Sequence, residues 1–203
     1  MIGKKLELWI FILIIGIAAF FRFYNLEMTP PGLWPDEAAN GVDALKALDS
    51  NDLKIFYPAN NGREGLFINI QAISISFFGN NPWALRWISG IMGVLTVAGL
   101  YLLTRTIFNR QIAATASFFL AISSWHVIFS RIGFRAIMLP LILVWAFYFL
   151  WRGLKTSHLK EFIIAGIIGG VGFYTYFSFR IAPLIVLILF ANYWAYLKKD
   201  FHF

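Results

Sequence analysis

The stretch GLFINIQAISISFFG, residues 65–79, decides how many times this chain crosses a membrane. As a helix it would rise about 22 Å at 1.5 Å per residue, short of the ~30 Å hydrocarbon core. It also carries Asn69, Gln71, Ser74 and Ser76, whose amides and hydroxyls a lipid-facing segment would leave without partners. It reads as an interfacial or re-entrant helix, although the alternation I-N-I-Q and I-S-I-S also fits a strand.

The rest of the chain is plainer. Its 203 residues are 60% hydrophobic, 19% aromatic and only 13% charged, with a mean hydropathy of +0.71, more apolar surface than a soluble core absorbs. Cysteine is absent, so disulfides and thiolate metal sites are excluded. A net charge of +7 would suggest nucleic acid in a soluble protein. Here the basic residues gather at the ends of apolar runs and no nucleic-acid motif is present, so they point to membrane topology instead.

Apolar runs at 6–24, 84–104, 112–129, 136–151, 162–178 and 181–197 predict six transmembrane helices. The first follows Lys4 and Lys5 without a small-residue cleavage site, and reads as a retained span and not a signal peptide. With six spans and a cytoplasmic N-terminus, Lys4, Lys5, Arg105, Arg110, Arg152, Lys155, Lys160, Lys198 and Lys199 face inward against Glu7, Glu161 and Asp200. Arg22, Lys46, Lys54, Arg63, Arg86, Arg131, Arg135 and Arg180 then face outward against seven acids. A seventh span at 65–79 would reverse everything downstream and put most basic residues outside, against the positive-inside rule. The expectation is an all-α, multi-pass membrane protein of the plasma membrane. It is a single transmembrane domain over 1–203, with a long outer loop at 25–83 that contains juxtamembrane helices.

That loop begins with PPGLWPDEAANGVDALKAL, residues 30–48, in which Asp36 and Glu37 follow Pro35. One reading makes Asp36 the cap of a helix running to about Asp49, and Glu37 a first-turn acid favoured by the helix dipole. Ala38, Val42, Leu45 and Leu48 would form its apolar stripe, with Asp43, Lys46 and Asp49 toward water. A second reading employs the acids. Arg63 and Glu64 close the loop, Arg86 opens the second span, Arg131 and Arg135 bracket a later outer turn, and Arg180 starts the last span. A single such arginine is an ordinary snorkelling anchor. Several on the side that topology keeps poor in positive charge suggest an anion, and a lipid phosphate or pyrophosphate suits the planar guanidinium fork. A carboxylate beside it could take a proton from an attacking hydroxyl.

An Asp-Glu pair in the first outer loop, then GREGLFINIQAISISFFG, then PWALRWISGIMGVLTVAGLYLLTRTIF, resembles the N-terminal module of the GT-C glycosyltransferases, closest to the protein O-mannosyltransferase and aminoarabinose transferase branch. The resemblance implies a bundle of transmembrane helices and transfer of a hexosyl or pentosyl sugar from a polyprenyl-phosphate donor to a protein, lipid or glycan acceptor on the outer face. It implies Asp36 as catalytic base and Glu37 as its partner, with Arg86 matching a basic residue at the start of the second span. Arg63 and Glu64 fall where relatives carry an acid or a lysine followed by two prolines, and both prolines are missing here. SSWHVIFSRIGFRAIMLPL offers Arg131 and Arg135, with Ala136 where many relatives have a second acid.

No cofactor is expected, and the case for a divalent metal rests on His126 without a matched partner. Tyr174, Tyr176 and Arg180 fall toward the outer end of the last turn, where tyrosines form interfacial belts and where Tyr174 and Arg180 are candidates for holding sugar or lipid. Such enzymes are generally longer than this chain, so it is expected to be a piece of a longer protein or to work with a partner subunit. The alternative to an enzyme is a noncatalytic lipid-phosphate-binding or scaffolding subunit of the same fold.

Overall fold

The computed structural model of the chain describes residues 3–200, and the side chains of Lys198 and Lys199 and the extreme ends of the expected 1–203 domain lie outside what it describes. Helix α1 spans Lys4–Phe23. Between it and α4 (Pro82–Ile107) lie α2 (Pro35–Ser50), a two-stranded antiparallel hairpin of β1 (Phe56–Tyr57) and β2 (Arg63–Glu64), and α3 (Gly65–Phe78). Helices α5 (Arg110–Ile122), α6 (Ser124–Arg131), α7 (Met138–Thr156), α8 (Leu159–Gly172) and α9 (Ala182–Asp200) follow. Short 3-10 turns at Arg135–Ile137 and Phe177–Ile181 precede α7 and α9.

Residues 65–79 resolve as helix, and three of the four polar side chains that argued against a lipid-facing span find partners elsewhere in the protein. Gln71 Nε2 donates to the Leu85 carbonyl at 3.0 Å and the Ser74 hydroxyl to that of Ala84, while Asn69 accepts from the Tyr57 hydroxyl at 2.7 Å. Both Leu85 and Ala84 lie in the first turn of α4, where Asn81 caps the helix by accepting from the Ala84 amide. Helix α3 is therefore a strut between α2 and α4. Its Ile68, Ala72 and Ile75 meet Ala44 and Ala47 of α2 and Leu85 of α4.

The expected face of α2 is rotated. Val42 is exposed, and the buried side carries Glu37, Asn40, Gly41, Asp43, Ala44 and Ala47. The small residues let α2 approach α3 closely, and Asp43, expected in water, is drawn inward by an ion pair with Arg63. Lys46 and Asp49 are exposed as expected.

Of the six expected spans, three are long and apolar enough to cross: α1, α4 and the stretch Arg135–Thr156. The expected span 112–129 is broken at Ser123, where α5 and α6 meet at 55°, and together the pair would make a fourth. Arg22, fully buried near the end of α1, meets the break: it donates to the carbonyls of Ala121 at 3.0 Å and Leu120 at 3.4 Å, and the Leu120 carbonyl also accepts from the Ser123 amide. Arg22 also donates to its own Ala18 carbonyl and, at 2.7 Å, to His126 Nδ1. Guanidinium has no acceptor, so Nδ1 must accept here. Gly93 of α4 faces this knot, and a Cβ there would lie 2.2 Å from the Ser130 hydroxyl and 2.7 Å from Arg22 Nε. The expected span 162–178 stops at Gly172, because the amides of Phe173, Tyr174 and Thr175 bond back three residues and close the helix as a tight turn.

Candidate active site

Pro35 opens α2 at the position where its missing N–H costs nothing. The residue before the helix is Trp34, so Asp36 is not the cap. Glu37 lies one turn in, and its Oε2 accepts from the Trp34 amide at 3.1 Å. The same carboxylate is fully buried. Its Oε1 accepts from Arg86 Nε at 2.8 Å and from the Gly133 amide at 3.1 Å, and its Oε2 from Arg86 Nη2 at 3.2 Å. Arg86 spends its remaining donors on the carbonyls of Leu26, Pro30 and Gly32. All five guanidinium N–H groups are thus engaged. One bidentate pair ties together α2, α4, the 26–32 segment and the turn after α6.

The hairpin is fixed from the other side. Arg63, buried, donates to Asn40 Oδ1 at 2.7 Å, to Asp43, and to the Ala59 carbonyl at 3.3 Å. Between the strands, Asn60, Asn61 and Gly62 all take positive φ, a conformation that asparagine and glycine tolerate best. This turn aims Asn60 Nδ2 at Asp36 Oδ1, 2.8 Å away.

Asp36, half-buried, borders a cavity of about 450 Å³ whose wall includes Asn60, Glu64, Arg135, Phe177 and Arg180. Glu64 is only 7% exposed and faces two guanidinium groups: Arg135 Nη1 stands 3.3 Å from Oε2 and Arg180 Nη2 stands 3.8 Å from Oε1. Neither contact is a well-made hydrogen bond, and Glu64 Oε2 and Arg135 Nη1 are both buried without such a partner. Arg135 also lies over the Tyr176 ring at 5.5 Å, and Arg180 over the Phe177 ring at 4.8 Å.

The structure thus gathers Asp36, Arg63, Glu64, Arg135 and Arg180 around one cavity and leaves other expected residues out of it. Glu37 and Arg86 lie behind it as a saturated clamp. Arg131 is turned away, donating to the carbonyl of Phe21 in the last turn of α1 and to those of Tyr24, Asn25 and Thr29 beyond it. It borders a separate, largely apolar groove of about 640 Å³ with Trp34 and Phe129. Tyr174 is exposed and does not line the cavity, while Tyr176 supports Arg135. His126 is spent on Arg22, and among the described residues no three His, Asp or Glu side chains converge as a metal site. Sequence reading passed over Asn60 and Phe177. The Asn-Asn-Gly run is the signal that locates the first; nothing in the sequence marks the second.

Two helices and a hairpin inserted between the first two long helices, closing a polar cavity against later turns, are the arrangement that the resemblance to the GT-C glycosyltransferase module implied. Residues 66–203 match the family of dolichyl-phosphate-mannose-protein mannosyltransferases, and the chain belongs to that family. It is 27% identical over 196 residues to a Bacillus subtilis (strain 168) protein named as a candidate mannosyltransferase, YkcB; the match covers 91% of this chain and 26% of that protein. Its fold matches the Archaeoglobus fulgidus oligosaccharyltransferase in its apo form with a TM-score of 0.77 at 21% identity, over 93% of this chain and 26% of the other. The chain thus spans about a quarter of the length of each of these relatives.

Proposed function

We propose that the chain is the catalytic membrane module of a glycosyltransferase that moves a sugar, mannose in the first instance, from a polyprenyl-phosphate donor to an acceptor hydroxyl on the outer face of the membrane. In this reading α5 and α6 make one bent crossing and the cavity faces outward. The acceptor oxygen attacks the anomeric carbon, the bond from that carbon to the phosphate oxygen breaks, and Asp36 takes the hydroxyl proton. One displacement inverts the anomeric centre. The departing phosphate gains a negative charge, which Arg135 and Arg180 are placed to meet. Glu37 and Arg86 touch neither reactant; they fix the first turn of α2 and so position Asp36.

The observation that carries the reading is the placement of Asp36. It is the half-buried acid on the wall that also carries the Arg135 and Arg180 guanidinium groups, held by an asparagine from the opposite loop. Asp36→Asn keeps the shape and removes the base. The test is transfer of labelled sugar from a panel of polyprenyl-phosphate donors by membranes that hold matched amounts of parent and variant protein. Transfer by the parent should fall roughly 100-fold or more in the variant. Equal transfer by both would remove Asp36 from the chemistry. Donor binding that survives in both proteins, without any transfer by the parent, would favour a noncatalytic lipid-phosphate-binding or scaffolding subunit.

A further inference from the structure

The cavity contains a mismatch that the transfer reaction alone does not require. Two of its guanidinium groups, on Arg135 and Arg180, face the same carboxylate, yet neither makes a well-formed bond to it. The separations are 3.3 Å and 3.8 Å, and Glu64 Oε2 and Arg135 Nη1 are left buried and unpartnered. The chain is able to build a tight pair nearby, since Arg86 grips Glu37 in bidentate fashion at 2.8 Å and 3.2 Å. The looseness is therefore local to the cavity.

Charge sharpens the point. Arg63 is committed to Asp43 and Asn40, so Arg135 and Arg180 are the cations left to the cavity, and Asp36 and Glu64 its carboxylates. Against two acids, two guanidiniums leave no net positive charge for an arriving phosphate. For the arginines to serve a phosphate, Glu64 must release them. A carboxylate and a phosphate present the same kind of oxygen edge to a guanidinium, and Arg180, more than half exposed, has room to move.

Resting on the proposed donor, we infer that Glu64 is a placeholder: its carboxylate occupies the seat of the donor phosphate in the empty protein and is displaced from Arg135 and Arg180 when a phosphate enters. The exchange keeps two like-charged guanidinium groups paired while the cavity is empty. It also sets a threshold on binding, because only an anion that both arginines prefer to Glu64 displaces it. Glu64 is a specificity-determining residue here; it takes no part in the bond exchange.

The test is direct binding of a short-chain polyprenyl monophosphate to parent and Glu64→Gln protein in nanodiscs, beside the thermal stability of each with and without inorganic pyrophosphate. Glu64→Gln keeps the shape and removes the competing charge. It should bind the polyprenyl phosphate roughly fivefold to tenfold more tightly than the parent, melt lower when empty, and gain more from pyrophosphate than the parent does. Equal or weaker binding by the variant overturns the placeholder while leaving the donor reading intact. Binding by neither protein overturns both. Should Glu64→Gln fail to fold, Glu64→Asp, which shortens the reach by one methylene, should also bind more tightly than the parent, and an unchanged affinity there overturns the inference.

Discussion

Two of the arginine–carboxylate constellations around the cavity, Glu37 with Arg86 and Glu64 with Arg135 and Arg180, differ in almost every physical respect. Glu37 and Arg86 are both buried, bidentate and saturated, with every guanidinium hydrogen committed and both carboxylate oxygens accepting. Glu64 faces two guanidiniums, one at 15% and the other at 57% side-chain exposure, and has contacts of 3.3 Å and 3.8 Å that leave donor and acceptor idle. A buried pair that is complete holds elements in register, since removing either partner strands the other's charge. A pair left incomplete on a cavity wall keeps capacity for something else. The same two residue types therefore serve as fastening in one place and as a binding surface in the other, and bond completeness tells them apart.

The largest effect should come from breaking the complete constellation. Arg86→Met leaves the Glu37 charge buried and three backbone carbonyls without their donor, and should cost about 3–5 kcal/mol, seen as loss of monodisperse protein on size-exclusion chromatography. Adding Glu37→Gln to that variant should restore part of the loss, the coupling that a fastening predicts. A smaller effect should follow from crowding the clamp without touching its charges. In Gly133→Ala the new Cβ would lie 2.8 Å from Gln71 Nε2, 3.1 Å from Glu37 Cγ and 3.2 Å from the Leu85 carbonyl, and thermal denaturation should show a loss of about 1–3 kcal/mol. The smallest effect on stability belongs to the loose constellation. Arg180→Gln should change stability by less than about 0.5 kcal/mol while weakening polyprenyl-phosphate binding roughly tenfold. A destabilisation by Arg180→Gln as large as that by Arg86→Met would erase the contrast.

Asp36 and Glu37 show how far the sequence could be read. Their position after Pro35 marked a helix start and a chemically loaded spot. Which acid lines the cavity and which is clamped depends on Arg86 and Gly133, 49 and 96 residues away from Glu37, and no local pattern records those meetings. That residues 65–79 form a short helix with polar side chains to place was legible, because length and polar content are local. The face of α2 was read partly wrong because apolar side chains outweighed small ones: Leu45 and Leu48 do pack inward, but so do Ala44 and Ala47 against α3 and Gly41 against Leu85 of α4. The arginines were read as one group, and geometry divides them: Arg131 supports the end of α1, while Arg135 and Arg180 line the cavity. The break at Ser123 was invisible, since 112–129 is apolar enough to read as one span.

Arg22 gives that break a consequence for how two distant stretches depend on each other. The Ala121 carbonyl is met by a side chain 99 residues earlier in the chain, and a buried carbonyl without that donor would go unpaired. The bend is thus held from outside its own segment, and the first helix serves as a brace for the later one.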